Sequence, residues 1–268
     1  MKRILLCLLS LILIGSCGCG QTTYSELKIV CFSLGKADAF LIISNVGAVL
    51  IDTGYNGDAA TIAACMDDNG VDAVDTLILS HFDKDHVGGA AALINAGRVK
   101  RVVHSDRQKD SDEYRAFAVA QESIEVIVPD EPMTFSLGNA TFAVYPPEEG
   151  EYDSDDSNNA SVVTFLQYGK CSFLFTGDAK KDRIKELQTI FKSKIDFLKV
   201  PYHGNYIKNL DDWLAKIKPD RAVITSSESE PYDSRTVEAL EAVGTTVYYT
   251  VNGAITVTCD GKNMTFSQ

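Results

Sequence analysis

Directly after the apolar stretch 76–79, the chain runs Ser80-His81-Phe82-Asp83-Lys84-Asp85-His86-Val87-Gly88-Gly89. Four side chains able to hold a metal, His81, Asp83, Asp85 and His86, fall within six positions. A strand that ends in a tight loop can point alternate side chains at one spot. Imidazole mixed with carboxylate suits Zn, Mn or Fe better than Ca. Gly88-Gly89 lets the following helix approach closely. The competing reading is a solvated polar loop, but four ligand types at this spacing rarely arise by chance.

The segments around this cluster alternate between short strands and helices. Residues 27–34, 39–44 and 48–51 are rich in β-formers and read as antiparallel strands with turns at Asn45 and Gly47. Residues 58–68 have helical spacing and stop at Asn69-Gly70. Further strands are expected at 76–79, 99–103, 124–128, 133–137 and 141–145, with helices at 90–95 and 111–120. Residues 146–159 are acidic and turn-rich and read as a long loop, a feature that is often functional. A hairpin follows at 161–167 and 171–175. Beyond it the pattern gives helices at 182–191, 211–217 and 234–243, and strands at 195–200, 221–225, 246–251 and 254–258. Strands and helices thus recur in two blocks, before and after the acidic loop. Two sheets packed face to face with helices outside fit that order.

Hydrophobic residues make up 45% of the 268 and charged residues 23%, enough for a large core and too balanced for a disordered chain. The formal net charge of −12 counts against broad, non-specific nucleic-acid binding. It leaves a phosphate substrate open, because a bound cation inverts the local field.

The first residues read as an export signal. Lys2 and Arg3 precede the apolar run 4–14, and Gly15, Ser16 and Cys17 follow. The run is short for a membrane span. Ile14-Gly15-Ser16-Cys17 also looks like a bacterial lipobox, which would make Cys17 the lipidated first residue of the mature protein. The expected organisation is a lipoprotein-type signal at 1–17, a tether at 18–26 and one domain at 27–268. The protein would then sit on the outer face of a bacterial cytoplasmic membrane, held by its lipid. The other cysteines are widely spaced and form no disulfide framework. Cys31, Cys171 and Cys259 fall in strand-like runs, are read as small hydrophobes and are assigned no chemistry.

The cluster resembles the HxHxDH signature of the metallo-β-lactamase superfamily, with Asp83 at the second histidine position. The HxDxDH form followed by Gly-Gly is similar to the C-terminal domain of ComEC-type competence proteins, read here as a stand-alone domain. Ser33-Leu34-Gly35-Lys36-Ala37-Asp38-Ala39 looks like that branch's D-V-G-Q-G-D-A, and Leu50-Ile51-Asp52-Thr53-Gly54 like its L-I-D-T-G. Phe175-Thr176-Gly177-Asp178 resembles the family's TGD, and Leu198-Lys199-Val200-Pro201-Tyr202-His203-Gly204 its L-K-V-x-H-H-G. Residues 252–257 are a weaker match to the branch's closing turn and strand.

The resemblance implies a four-layered αββα sandwich of two mixed β-sheets with helices on the outer faces. It implies two divalent transition-metal ions, Zn or Mn. One would take Asp85, His86 and His203, with Asp178 bridging. The other would take His81, Asp83 and a third group that is a histidine in most relatives and is absent here, so this first site is expected to be weak. Asp52 and Asp38 are expected behind the ligands. Such a pair of ions makes hydroxide available near neutral pH and stabilises attacking and leaving oxygens. Asp85, Tyr202 and Lys84 are expected to act in the reaction itself, Lys84 on developing charge and Tyr202 on the leaving group. His104 matches no motif and is expected to be structural. The implied activity is hydrolysis of a phosphodiester, with DNA a possible substrate. A cell-wall phosphodiester or small ester, or non-catalytic binding through a degenerate metal site, are the alternatives.

Overall fold

The computed structural model describes residues 25–148, 152 and 157–268. The expected signal, Cys17 and most of the tether lie outside the described residues, as does part of the acidic loop.

In chain order the first elements are β1 (Leu27–Cys31), β2 (Phe40–Ser44), β3 (Gly47–Ile51), α1 (Ala59–Asp68), β4 (Thr76–Ile78), α2 (Lys84–Val87), α3 (Ala90–Asn95), β5 (Arg101–Val103), α4 (Asp112–Ala120) and β6 (Glu125–Ile127). Then come β7 (Met133–Leu137), β8 (Ala140–Tyr145), β9 (Val163–Tyr168), β10 (Cys171–Phe175), α5 (Lys181–Ile190) and β11 (Phe197–Lys199). The chain continues with α6 (Leu210–Ile217), β12 (Arg221–Ile224), α7 (Ser234–Ala242), β13 (Thr246–Tyr249), β14 (Ile255–Cys259) and β15 (Met264–Ser267).

Two mixed sheets result. One has eight strands in the order β15-β14-β1-β2-β3-β4-β5-β6, the other seven in the order β13-β12-β11-β10-β9-β8-β7. β1, β2 and β3 are antiparallel neighbours, with the tight turn after Ser44 joining β2 to β3, and β3 to β6 run parallel. In the second sheet β7 to β10 are antiparallel and β10 to β13 parallel.

The period-two pattern explains the layering. Leu27, Ile29, Phe40, Ile42, Val49, Ile51 and Ile78 face the second sheet, where they meet Phe142, Phe173, Phe175 and Phe197. Their neighbours Val30, Leu41, Leu50 and Leu77 point outward under α1, α3 and α4. On the far side Leu174, Leu198, Ala222 and Ile224 lie beneath α5, α6 and α7, around the buried Trp213. Central strands that are apolar at consecutive positions are buried on both faces. The result is the αββα sandwich. No helix among the described residues is long and apolar enough to cross a membrane.

The two sequence blocks do not map one to one onto the sheets. β7 and β8 join the second sheet ahead of the acidic loop, and β14 and β15 return to the first, β14 pairing antiparallel with β1. Ile255, Val257 and Cys259 then continue the inter-sheet face begun by Leu27, Ile29 and Cys31. β15 was not expected from the sequence. Its only apolar signal is Met264 and Phe266 at alternate positions.

Candidate metal centre

Most residues of the site follow strands that end at one edge of the sandwich. Asp52 comes after β3, the His81–His86 loop after β4, Asp178 after β10, His203 after β11 and Thr225 after β12. The carboxyl ends of parallel strands are where α/β sheets place ligands. Two glycines allow the loops to close on one another. A Cβ at Gly88 would lie 2.5 Å from backbone atoms of Tyr55 and Asn56, and one at Gly177 would lie 2.7 Å from Ser80 Cβ. Asp52, Tyr202 and His203 hold positive φ of 57°, 51° and 53°. Such left-handed backbone costs a non-glycine residue on the order of 1–2 kcal/mol each and is sustained by the surrounding contacts.

Three buried histidines are oriented by the same device. His86 Nδ1 donates to Asp52 Oδ2 at 2.9 Å. Ser80 Oγ donates to Asp52 Oδ2 at 2.7 Å, so at 3.0 Å from His81 Nδ1 it accepts. Thr225 Oγ1 donates to Asp38 Oδ1 at 2.6 Å, so at 2.9 Å from His203 Nδ1 it too accepts. Nδ1 of each ring thereby faces an acceptor and keeps its proton, while Nε2 is turned inward. Asp52 thus sits behind His86 and His81, and Asp38 behind His203.

The Nε2 atoms meet the carboxylates. His203 Nε2 is 3.0 Å from Asp178 Oδ2 and 3.4 Å from Asp85 Oδ2. His86 Nε2 is 3.5 Å from Asp178 Oδ1 and 3.4 Å from His203 Nε2. Two imidazole lone pairs facing each other at that distance repel unless a proton or cation lies between them. His81 Nε2 is buried and has no hydrogen-bond partner among the described residues. Ligand atoms of His81, His86 and Asp178 lie within 4.8 Å of one another, as do those of Asp85, His86 and His203. A donor set of imidazoles and carboxylates with an orphaned buried nitrogen fits a divalent transition metal.

The electrostatics follow the same pattern. Burial takes His81 down to about 4, with His86 adding to the shift, so the ring is a neutral donor at pH 7. Burial also works against charge on His203 and His86, but Asp178 with Asp38 or Asp52 outweighs it and raises both. Burial would raise Asp85 and Asp178, yet the histidines hold both carboxyls below the usual carboxylate range, with Lys199 adding to the effect on Asp178.

The remaining expected residues are placed as follows. Asp83 Oδ1 does not face a third ligand; it is held by the Lys109 ammonium and the Ser157 hydroxyl, and His81 Nε2 stands 3.9 Å away. Asn159, at the end of the acidic loop, accepts from Arg183 N in the first turn of α5 at 3.3 Å through its Oδ1. Tyr202 is half-buried beside His203, with Lys180 Nζ 4.2 Å and Lys36 Nζ 5.8 Å from its ring centre. Lys84 is exposed on α2. His104 bonds to Ser105 O and Gln121 Oε1 and packs on Phe82 and Phe117, a structural residue.

Sequence reasoning missed Lys199, whose ammonium is wholly buried 2.5 Å from Asp38 Oδ2, 3.3 Å from Asp178 Oδ1 and 2.8 Å from Gly177 O. The signal was available: a lysine amid the apolar run Phe197-Leu198-Lys199-Val200 needs buried partners. Ser80, Thr225 and Lys109 carried no comparable signal.

Residues 33–226 match the metallo-beta-lactamase superfamily. ComE operon protein 3 of Bacillus subtilis is 26% identical over 229 residues, 78% of this chain and 29% of that protein. Recombination protein 2 of Haemophilus influenzae is 28% identical over 204 residues, 74% of this chain and 24% of that protein. The matched segment is therefore under a third of either relative's length. The metallo-beta-lactamase fold protein YhfI of Bacillus subtilis superposes with a TM-score of 0.58 at 13% identity, covering 90% of this chain and all of that one, which supports the fold alone. A match to the family model across most of the chain, joined to two sheets whose strand ends converge on histidines and aspartates, places this chain in the metallo-β-lactamase superfamily.

Proposed function

We propose that the chain is a metal-dependent hydrolase of phosphodiesters, with single-stranded nucleic acid as the favoured substrate. The observation that carries this reading is the mouth of the site. Lys180 and Lys36 lie against the ring of Tyr202, next to His203, in a chain whose formal net charge is −12. Lysines gathered beside a cluster of metal-ligand side chains, one of them shared with Glu230 at 3.8 Å, attract an anionic substrate locally even in an acidic protein. An aromatic face among them suits a stacked base beside a phosphate. Similarity to a protein named Recombination protein 2 also favours nucleic acid.

Asp85, His86, Asp178 and His203 would hold one divalent ion, Zn or Mn, with Asp178 shared towards a second at His81 and Asp83. When bound, the ions would supply a low-pKa water and polarise the phosphoryl group. The chain's own residues do the rest. Asp52 and Asp38, directly and through Ser80 and Thr225, hold the Nδ1 protons of three histidines and so aim their Nε2 atoms inward, where an ion would take the place of a proton. Lys199 balances Asp38 and Asp178. Tyr202 lies beside His203 and is the candidate proton donor to the leaving oxygen. Lys84, being exposed, serves long-range attraction rather than contact with the reacting centre. Tyr55 donates to Lys36 O at 3.0 Å; burial first, then Asp85, pushes its phenol up to about 12, so it stays uncharged at the mouth.

Export and lipid anchoring through Cys17 belong to the same proposal. They would bring the site to extracellular DNA or to a cell-wall phosphodiester. Bis-p-nitrophenyl phosphate, single-stranded DNA and a β-lactam, each assayed with added Mn or Zn, separate the readings. Cleavage of the first two and not the third is expected. Turnover of the β-lactam alone would refute the proposal, and turnover of none would favour a binding module.

A further inference from the structure

We infer that Cys171 and Cys259 form a disulfide-competent pair that clamps the two sheets together at the end of the sandwich opposite the metal centre. Cys171 opens β10, the strand whose other end leads to Asp178, and Cys259 closes β14, opposite the start of β1. They belong to different sheets. Facing sheets ordinarily stand about 10 Å apart, too far for most cysteine pairs.

Here two turns draw the sheets together. Lys170 N donates to Gly261 O at 2.7 Å, and a Cβ on Gly169 would fall 2.3 Å from that same oxygen. Gly261 N in turn donates to Cys259 Sγ at 3.4 Å. The backbones on either side of the two cysteines are thereby in contact. Both side chains are free thiols buried in the same inter-sheet core, and each perturbs the ionisation of the other. Cys31 and Cys65 lie elsewhere, Cys31 in the inter-sheet core and Cys65 on α1. Cys171 also lines a surface cleft with Lys170, Arg221 and Lys262, which gives an oxidant a route to it.

On the exported reading of residues 1–17 the domain lies in a compartment where disulfides persist. Closure removes one proton from each thiol and two electrons from the pair as the Sγ–Sγ bond forms. A low-molecular-weight disulfide such as oxidised glutathione takes up the electrons and protons and leaves as two thiols. Burial pushes both cysteine thiols up, so exchange is slow once the sheets have closed and is fastest while the chain folds.

The full-length protein, refolded in a glutathione redox buffer, tests this. Peptide mapping without reduction should recover the Cys171 and Cys259 peptides joined and lighter by two hydrogens. The thermal midpoint should rise by roughly 6–12 °C, as expected for a cross-link closing a long loop in a domain of this size, and fall back with dithiothreitol. Cys171→Ala should lose the dithiothreitol-sensitive shift, and Cys65→Ala should keep it. Recovery of Cys171 and Cys259 as free thiols, as glutathione adducts, or joined to Cys31 or Cys65 would overturn the inference. None of these readouts depends on metal or activity, so the result stands apart from the proposed hydrolase function.

Discussion

Thr225 donates its hydroxyl proton to Asp38 at 2.6 Å, joining positions 187 residues apart in the chain. A hydroxyl has one proton to give. With it committed to Asp38, Thr225 receives the Nδ1 proton of His203, and the carboxylate thereby sets which nitrogen of the ring faces Asp178 and Asp85. Ser80 does the same between Asp52 and His81. Groups behind a ligand fix its tautomer and its basicity.

Thr225→Val keeps the shape of the side chain and removes the relay. Metal affinity is expected to fall about 10–100-fold while the fold persists, as is usual for loss of such a group. Competition with a chromophoric chelator measures it. An affinity equal to that of the unaltered protein would show that the Asp38–Thr225–His203 chain does not position the ring.

Lys199→Met leaves Asp38 and Asp178 buried without the cation that lies between them. Breaking a buried pair on one side costs roughly 3–5 kcal/mol. Urea unfolding of metal-free protein should show a loss of that order, and an unchanged midpoint would contradict the arrangement.

Lys109 stands on Asp83 where the first metal site of the family would draw that carboxylate. Lys109→Met frees the oxygen. The affinity for a second ion is expected to rise about tenfold, the equivalent of about 1.4 kcal/mol. Calorimetric titration of both proteins with Mn would reveal it, and equal second-site affinities would show that Lys109 does not compete.

In the metal-free protein, burial opposes charge on His86 and His203, but Asp178 and the carboxylates behind the rings raise both. Their protonated forms stabilise the fold fully below the unfolded imidazole value of about 6.5, and that contribution is lost as pH rises through the raised values. His81 works oppositely. Burial lowers it to about 4, so stability declines as pH falls from about 6.5 towards that value. Asp85, held low by His203 against its burial, contributes above about pH 4 and loses that contribution only in stronger acid. The thermal midpoint in chelator should therefore peak near pH 6.5 and drop towards alkaline pH. With metal the alkaline drop should vanish, because the ion replaces those protons. A chelated midpoint that is flat or rising above about pH 6.5 would contradict the ring environments.

Much of this was legible in the sequence. Runs rich in β-formers such as Phe40-Leu41-Ile42-Ile43 marked the strands, and Gly and Asn marked their ends. The cluster after β4 announced a ligand loop, and motif resemblance tied Asp178 and His203 to it. The partition of strands between sheets was hidden, because β14 joins β1 through an alternation that many other strands could satisfy. Ser80 and Thr225 were silent for a different reason. A hydroxyl between a carboxylate and an imidazole is indistinguishable in sequence from any serine or threonine at a strand end. Lys109 acts across 26 residues on Asp83, from a loop with no periodic signal. Cys171 and Cys259 looked like isolated small hydrophobes until the two turns brought them together.

The most direct test is metal content. Full-length protein purified without chelator and analysed by mass spectrometry for elements should carry at least one Zn or Mn per chain. Asp178→Ala and His203→Ala should lose it while retaining the circular dichroism of the fold. A folded parent protein that carries no transition metal and gains none on dialysis against Zn or Mn would contradict a metal centre at His81, Asp85, His86, Asp178 and His203.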